Sequence, residues 1–313
     1  MKQTILKKIL KNWYDPIFYR NQFLLKISSI VFKKNKGIYI LNEEWDNLII
    51  LDACRYDIFK QEINKSGLKG ILKKVKSRGS HTSTFLSENF SKKTYPNIVY
   101  ITANPYVDKF HKGKFHKLIS VWRDDWNEKY STVLPETMYE HSIDAILKFP
   151  KKRIIIHFMQ PHFPYIGYSF GAEATQRLRN SVCSEEIQKK KKNKPLNRKI
   201  FALYSVDFYR IISRKDHFEL YKRNLIKTFP YLKKLINSLP GRTIITADHG
   251  ESIGNMIHPL LPIRLYGHNK QFKNRVLNNV PWFIIEPEDK EPIVNQELIE
   301  KVKILKTIKK IQF

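Results

Sequence analysis

An α/β fold, with a mostly parallel central sheet and helices on both faces, is predicted by three features of the sequence. Five short segments are rich in Ile and Val, segments of helical periodicity lie between them, and several of the apolar runs empty directly into polar, chemistry-bearing side chains. The 313 residues and a hydrophobic content of 42% are enough for one large domain with a buried core.

The strands are expected at 47–52 ("NLIILD"), 97–103 ("NIVYITA"), 153–159 ("RIIIHFM"), 242–248 ("RTIITAD") and 280–286 ("VPWFIIE"). Helical patterns fill 137–149 and 217–239, and strands that alternate with helices favour parallel pairing. There is no internal repeat and no Gly/Ser linker, so residues 41–313 read as one catalytic-sized domain behind an N-terminal extension, 1–40. That extension mixes Ile, Leu and Phe with Lys and Arg at near-helical spacing, the pattern of an amphipathic helix packed on the domain or lying on a membrane surface. Residues 172–214 have the weakest periodicity and contain "QKKKKNKP", which reads as a basic, variable surface insertion.

With 57 Lys and Arg against 29 Asp and Glu, the chain carries +28 and attracts anions: phosphorylated substrates, acidic lipid or nucleic acid. Nucleic acid is the least supported of these, because no aromatic residues interleave the lysine block. The two cysteines, Cys54 and Cys183, make neither a CxxC pair nor a disulfide framework. No run approaches the ~20 apolar residues of a membrane span, and the N-terminus is too interrupted by polar residues for a signal peptide. These features together predict a cytoplasmic protein, held by its basic N-terminus at the inner face of the membrane if it binds lipid at all.

Chemistry is concentrated at strand ends, where open α/β sheets bind their ligands. In "NLIILDACRYD", Asp52 closes an apolar strand and needs a cation, a donor or a helix N-terminus to be buried there; Arg55 and Asp57 follow. In "SRGSHTSTFLSENF", Gly79 allows a tight turn, and Ser80, His81, Thr82, Ser83 and Thr84 crowd a helix entry. Hydroxyls there cap the helix, or attack phosphorus held by its amides. In "TIITADHGE", the adjacent Asp248 and His249 offer oxygen and nitrogen ligands to one divalent cation, and Gly250 permits close backbone approach. "HFMQPHFPYIG" adds His157, His162 and Tyr165, and "YGHNKQFKNRVLNNVPWFII" adds His268 and Lys270.

In this order the segments resemble the alkaline phosphatase superfamily, in its sulfatase-like hydrolase and transferase branch, which includes the lipoteichoic-acid-synthase-type phosphotransferases. The resemblance spans about 47–286 and implies an alkaline-phosphatase-like sheet. It also implies Asp52, Asp248, His249 and Thr82 on a metal, with Thr82 as nucleophile. His162 and His268 would hold the substrate anion or the leaving group, Ser80, Arg55 and Lys270 would contact the substrate, and His157 would be structural. Ser80 and Thr84 remain rival nucleophiles within the same hydroxyl-rich turn. The implied cofactor is one divalent ion, Mn²⁺, Zn²⁺ or Mg²⁺, and a second set of ligands has no evident place in the sequence. No Cys/Ser-x-Pro-x-Arg motif surrounds Cys54 or Ser80, so an unmodified threonine favours phosphate esters over sulfate esters. The competing readings are a sulfoester hydrolase and, from another class, a non-catalytic binder of nucleic acid or acidic membrane. The ligand-type residues at strand ends favour the enzyme.

Overall fold

In the computed structural model, residues 37–91, 93–168, 213–258, 261–268 and 275–290 are described. Nearly all of the expected extension and insertion, together with Cys183 and Lys270, lie outside them. Strand β1 (Asn47–Leu51) is buried along its whole length, Ile49 and Leu51 facing one apolar cluster and Leu48 and Ile50 another. A strand apolar on both faces has to be covered on both, which is why it reads as a continuous run rather than an alternating one.

Strands β5 (Arg153–Phe158) and β6 (Thr243–Thr246) flank β1 in parallel, Asn47 aligning with Ile154 on one side and Thr243 on the other. On the β5 side, β3 (Tyr95–Thr102) and β4 (Phe115–Ser120) continue the parallel pairing. On the β6 side, β9 (Asn279–Ile285) is antiparallel to both β6 and the edge strand β2 (Ile71–Lys76). The order among the described residues is β2-β9-β6-β1-β5-β3-β4. A separate antiparallel pair joins β7 (Ser252–His258) to β8 (Leu261–Gly267).

All five expected strands are present, although the last, β9, runs antiparallel to its neighbours. The edge strand "ILKKVK" is legible only afterwards: its lysines are exposed, as suits an edge that must not pair with another chain.

Helices α1 (Tyr56–Ile63), α5 (Pro135–Lys148), α6 (Arg214–Ile226) and α7 (Phe229–Ser238) pack on one face through Phe59, Met138, Leu225 and Leu232. Helices α2 (Thr82–Phe90) and α3 (Pro105–His111) cover the other through Phe85, Phe90 and Val107. Two short helices, α4 (Val121–Asp124) and α8 (Arg275–Asn278), complete the set. The helix expected over 217–239 is two, because Pro230 in the first turn of α7 has no N–H to continue the ladder from α6. Among the described residues no helix is long and apolar enough to cross a membrane.

His111 ends α3 in an aromatic setting, its ring 6.0 Å from that of Phe90 and 6.5 Å from that of Phe115. Burial, with the charge of Lys114, pushes its pKa down to about 4. The unfolded chain, with a His pKa of about 6.5, therefore binds the proton first, and stability present above that pH is lost as pH falls toward 4. His111→Phe removes this penalty. The difference in Tm between variant and parent, measured by thermal melts from pH 7.5 to 4, is expected to grow as pH falls below 6.5; a pH-independent difference contradicts the assignment.

Candidate active site

The parallel strands end at one edge of the sheet, and their carboxyl ends bring Asp52 (after β1), Asp248 (after β6) and the loop bearing His162 (after β5) together. The loops are held by side chains from several elements. Ala53 adopts a left-handed conformation (φ 59°), its carbonyl accepting from the Tyr221 hydroxyl on α6 at 2.6 Å and its amide donating to Asp248 Oδ1 at 3.0 Å. Asn224, also on α6, donates to the carbonyls of Pro161 and His162 at 3.2 and 3.0 Å and so fixes the His162 loop. The turn before α2 is tied down by Asn278 donating to the Gly79 carbonyl at 3.0 Å and by the Ser77 hydroxyl donating to the Asp248 carbonyl.

Asp52, Asp248 and His249 are buried, and one ligand atom from each lies within 4.8 Å of the others. His249 Nδ1 donates to the Gly250 carbonyl at 2.9 Å, which leaves Nε2 as a lone pair directed at the Thr82 hydroxyl, 3.2 Å away. Burial, then the neighbouring His268 and His81, holds the His249 ring neutral by pushing its pKa well below the usual range. Asp52 Oδ2 accepts from the Asn104 amide, whose own oxygen accepts from Tyr106 N at 2.9 Å, so the α3 cap orients the donor. Burial and the nearby Asp248 raise the Asp52 pKa well above the carboxylate range.

Asp52 Oδ1 and Asp248 Oδ2 are buried without a hydrogen-bond partner. Two like-charged, desolvated carboxylates with orphaned oxygens beside a neutral imidazole nitrogen fit a divalent cation, which would offset both the repulsion and the lost hydration.

A second cluster adjoins the first. Glu251, His162 and His268 also bring ligand atoms within 4.8 Å of one another. His268 Nδ1 donates to Glu251 Oε2 at 2.9 Å, and the His268 ring lies 4.3 Å from that of His249 and 5.0 Å from that of His162. Burial alone would raise the Glu251 pKa, but His268, His162 and His249 together bring it down to about 2. Burial opposes protonation of His268, and the Glu251 carboxylate overcomes it, so its pKa is raised. Burial and His268 lower that of His162.

The hydroxyls of the turn are now distinguishable. Thr82, the first residue of α2, faces His249, whereas the Thr84 hydroxyl donates to the His81 carbonyl at 2.7 Å. Ser80 is buried one step ahead of the N-cap, His81. The Arg55 guanidinium is engaged by Asp57 at 2.9 and 2.6 Å, by Asn255 at 2.9 Å and by the Glu251 carbonyl at 3.4 Å, which ties α1 to β7 beside the second cluster. Tyr165 is turned into the core, where its hydroxyl meets His217 at 2.6 Å. His157, expected to be structural, is fully buried in β5, accepts or donates with the Tyr100 hydroxyl at 3.0 Å, and has Nε2 3.8 Å from Asp52 Oδ2.

Four residues at the site escaped the sequence reading: Glu251 and His81, which were in view without a role, and Asn104 and Tyr221. Glu251 sits three residues past Asp248, and an Asn-Pro start such as Asn104–Pro105 signals a cap, but nothing local in "HFELYKRN" marks Tyr221.

A family model described as Sulfatase matches residues 65–311, most of the chain. The chain belongs to the sulfatase family. The membership places it in the alkaline-phosphatase-like fold. Asp52 precedes the matched region and is placed at the site by the pairing of β1 with β5 and β6.

No curated protein matches this sulfatase-family chain in sequence. Similar solved structures include the integral membrane protein lipooligosaccharide phosphoethanolamine transferase A (EptA) from Neisseria meningitidis. It shows 13% identity and a TM-score of 0.48, with 78% of this chain and 47% of that one covered, so the chain spans about half of EptA's length. The C-terminal periplasmic domain of phosphoethanolamine transferase EptC from Campylobacter jejuni gives 15%, 0.47, 78% and 79%. That of EptC from Escherichia coli, in complex with Zn, gives 12%, 0.45, 78% and 72%.

The expectation of a cytoplasmic location is not supported: the two EptC structures are periplasmic domains. A sequence with two cysteines in no disulfide framework and without a long apolar run does not distinguish the two sides of a membrane.

Gly250 approaches α8 so closely that a Cβ there would lie 2.0 Å from the Val276 carbonyl oxygen. Gly250→Ala is expected to cost about 1–3 kcal/mol in chemical denaturation, since the obstacle is backbone. An unchanged midpoint would mean that α8 yields.

Proposed function

We propose that the chain is a metal-dependent phosphoester hydrolase or phosphotransferase that uses Thr82 as its nucleophile. The observation that carries the reading is the contact of the Thr82 hydroxyl with His249 at the edge of the Asp52–Asp248–His249 cluster. Asp52, Asp248, His249 and Thr82 would hold one divalent ion, which when bound lowers the pKa of a coordinated hydroxyl and screens the anionic substrate.

Thr82 Oγ, having lost its proton to solvent, attacks the phosphorus of a bound ester in line with the leaving oxygen, so that the Oγ–P bond forms as the P–O ester bond breaks. His268, kept protonated by Glu251, donates the proton that the leaving oxygen takes up. His162 is positioned by Asn224 to contact the same substrate anion. Water or an acceptor alcohol, giving its proton to the now neutral His268, then takes the phosphoryl group, and Thr82 Oγ leaves and takes up a proton from solvent to restore the hydroxyl.

A threonine at this position, without the motif that matures a sulfatase nucleophile, supports phosphate over sulfate esters. Thr82→Ala is expected to lower turnover of aryl phosphate esters by 10³-fold or more with an unchanged melting curve, and chelation is expected to abolish parent activity. Chelator-resistant turnover, or a fully active variant, contradicts the reading.

The second cluster favours a further reading, in which His162, Glu251 and His268 seat a second cation. Glu251→Gln separates the two. If His268 is the proton donor, loss of the carboxylate lowers its pKa, and the alkaline limb of the pH–rate profile moves to lower pH with metal content constant. If the cluster holds an ion, metal content by mass spectrometry falls by one per chain.

A further inference from the structure

Helix α3 begins at the site and carries an aromatic platform away from it. Asn104 caps the helix and donates to Asp52, and two residues on, Tyr106 turns its ring edge-on to His81 (5.5 Å between centroids, 89° between planes). His81 in turn stacks on His249 (6.1 Å, 23°) and lies 5.2 Å from His268. One helical turn after Tyr106, Phe110 presents a second ring, parallel to the first within 6° at 5.9 Å. Tyr106 is 37% and Phe110 43% exposed, although large apolar side chains with a free choice are buried. The Lys109 ammonium lies 6.0 and 5.4 Å from the two ring centroids and gives the platform a positive charge.

We infer that Tyr106 and Phe110 form a subsite for the organic group of the substrate, and that this group presents a ring face beside the ester oxygen. The inference rests on the proposed phosphoester reading. An anion held between Thr82, His249 and His268 has Tyr106 one side chain away across His81, so the group esterified to it passes over the platform. Parallel aromatic rings gain most from another flat or C–H-rich ring, and their energy depends on area and stacking geometry rather than on hydrogen bonds. The platform therefore selects the substrate without touching the reacting atoms, and Lys109 favours rings that carry further negative charge or hydroxyl acceptors.

Non-hydrolysable phosphonates test this through binding alone. Methylphosphonate has no ring, phenylphosphonate has an aryl ring, and cyclohexylphosphonate has a saturated ring of the kind a sugar offers. Calorimetric titration of the metal-loaded parent is expected to give about 10-fold tighter binding of at least one ring compound over methylphosphonate, consistent with stacking energies at other aromatic platforms. Tyr106→Ala/Phe110→Ala should remove that preference and leave methylphosphonate binding within about two-fold. Leu147→Ala, which truncates an exposed apolar side chain on α5, should change neither.

Preference for the phenyl compound alone supports an aryl ester, and preference for both supports a saturated ring such as a sugar. A parent that binds all three equally, or a double variant that keeps the preference, overturns the subsite and leaves the anion site standing. A parent that binds no phosphonate overturns the anion site and the subsite together.

Discussion

Everything at this site depends on two carboxylates that the sheet forces together. Asp52 follows β1 and Asp248 follows β6, and because those strands are parallel neighbours in fixed register, their terminal residues emerge side by side. Neither can retreat to solvent, since both strands are buried on both faces. The repulsion is partly relieved by donors: Ala53 and His249 amides on Asp248, and Asn104 on Asp52. One oxygen of each carboxylate remains without a partner. A fold that spends this much backbone geometry on an unfavourable pair is most simply understood as one completed by a cation.

The supports around that pair come from remote parts of the chain, which explains how a loop-built site is held still. Tyr221 and Asn224, one turn apart on α6, bond the loops after β1 and β5 respectively, so a single helix fixes both. Ser77 and Asn278 do the same for the turn before α2. The hairpin of β7 and β8 starts just after Glu251 and ends just before His268, so the 2.9 Å pair between those two residues closes its base. Arg55, clamped to Asp57 and Asn255, anchors the same hairpin to α1.

How much of this was legible in the sequence follows from which interactions are local. The strands were, because runs such as "NLIIL" and "RIIIHF" have one physical use at that length. The meeting of Asp52, Asp248 and His249 at one sheet edge was, because each follows an apolar run, whereas Thr82 was one of several hydroxyls at a helix entry. The direction of β9, the break between α6 and α7 and the hairpin were less so, since each is set by tertiary pairing or by a single proline. Arg55 shows the limit most clearly: two of its partners, Asn255 and the Glu251 carbonyl, come from a hairpin that the sequence did not announce. Glu251 shows the converse. Its role depends on His268 returning through the hairpin, and no local pattern states that return.

Charge gives the last step. The chain carries +28, yet the site at its centre contains Asp52, Asp248 and Glu251, all buried. The exterior attracts anions along a long-range field, and the interior repels them at short range. Each of the three keeps one oxygen without a partner, but Glu251 alone has a protonated partner in His268, which leaves Asp52 and Asp248 facing each other. A cation between those two would turn the centre from repelling to attracting and bring it into agreement with the surface. In the proposed reading such a cation would admit a phosphoester before it activated Thr82, and an ion-free chain would fail in binding before it failed in chemistry.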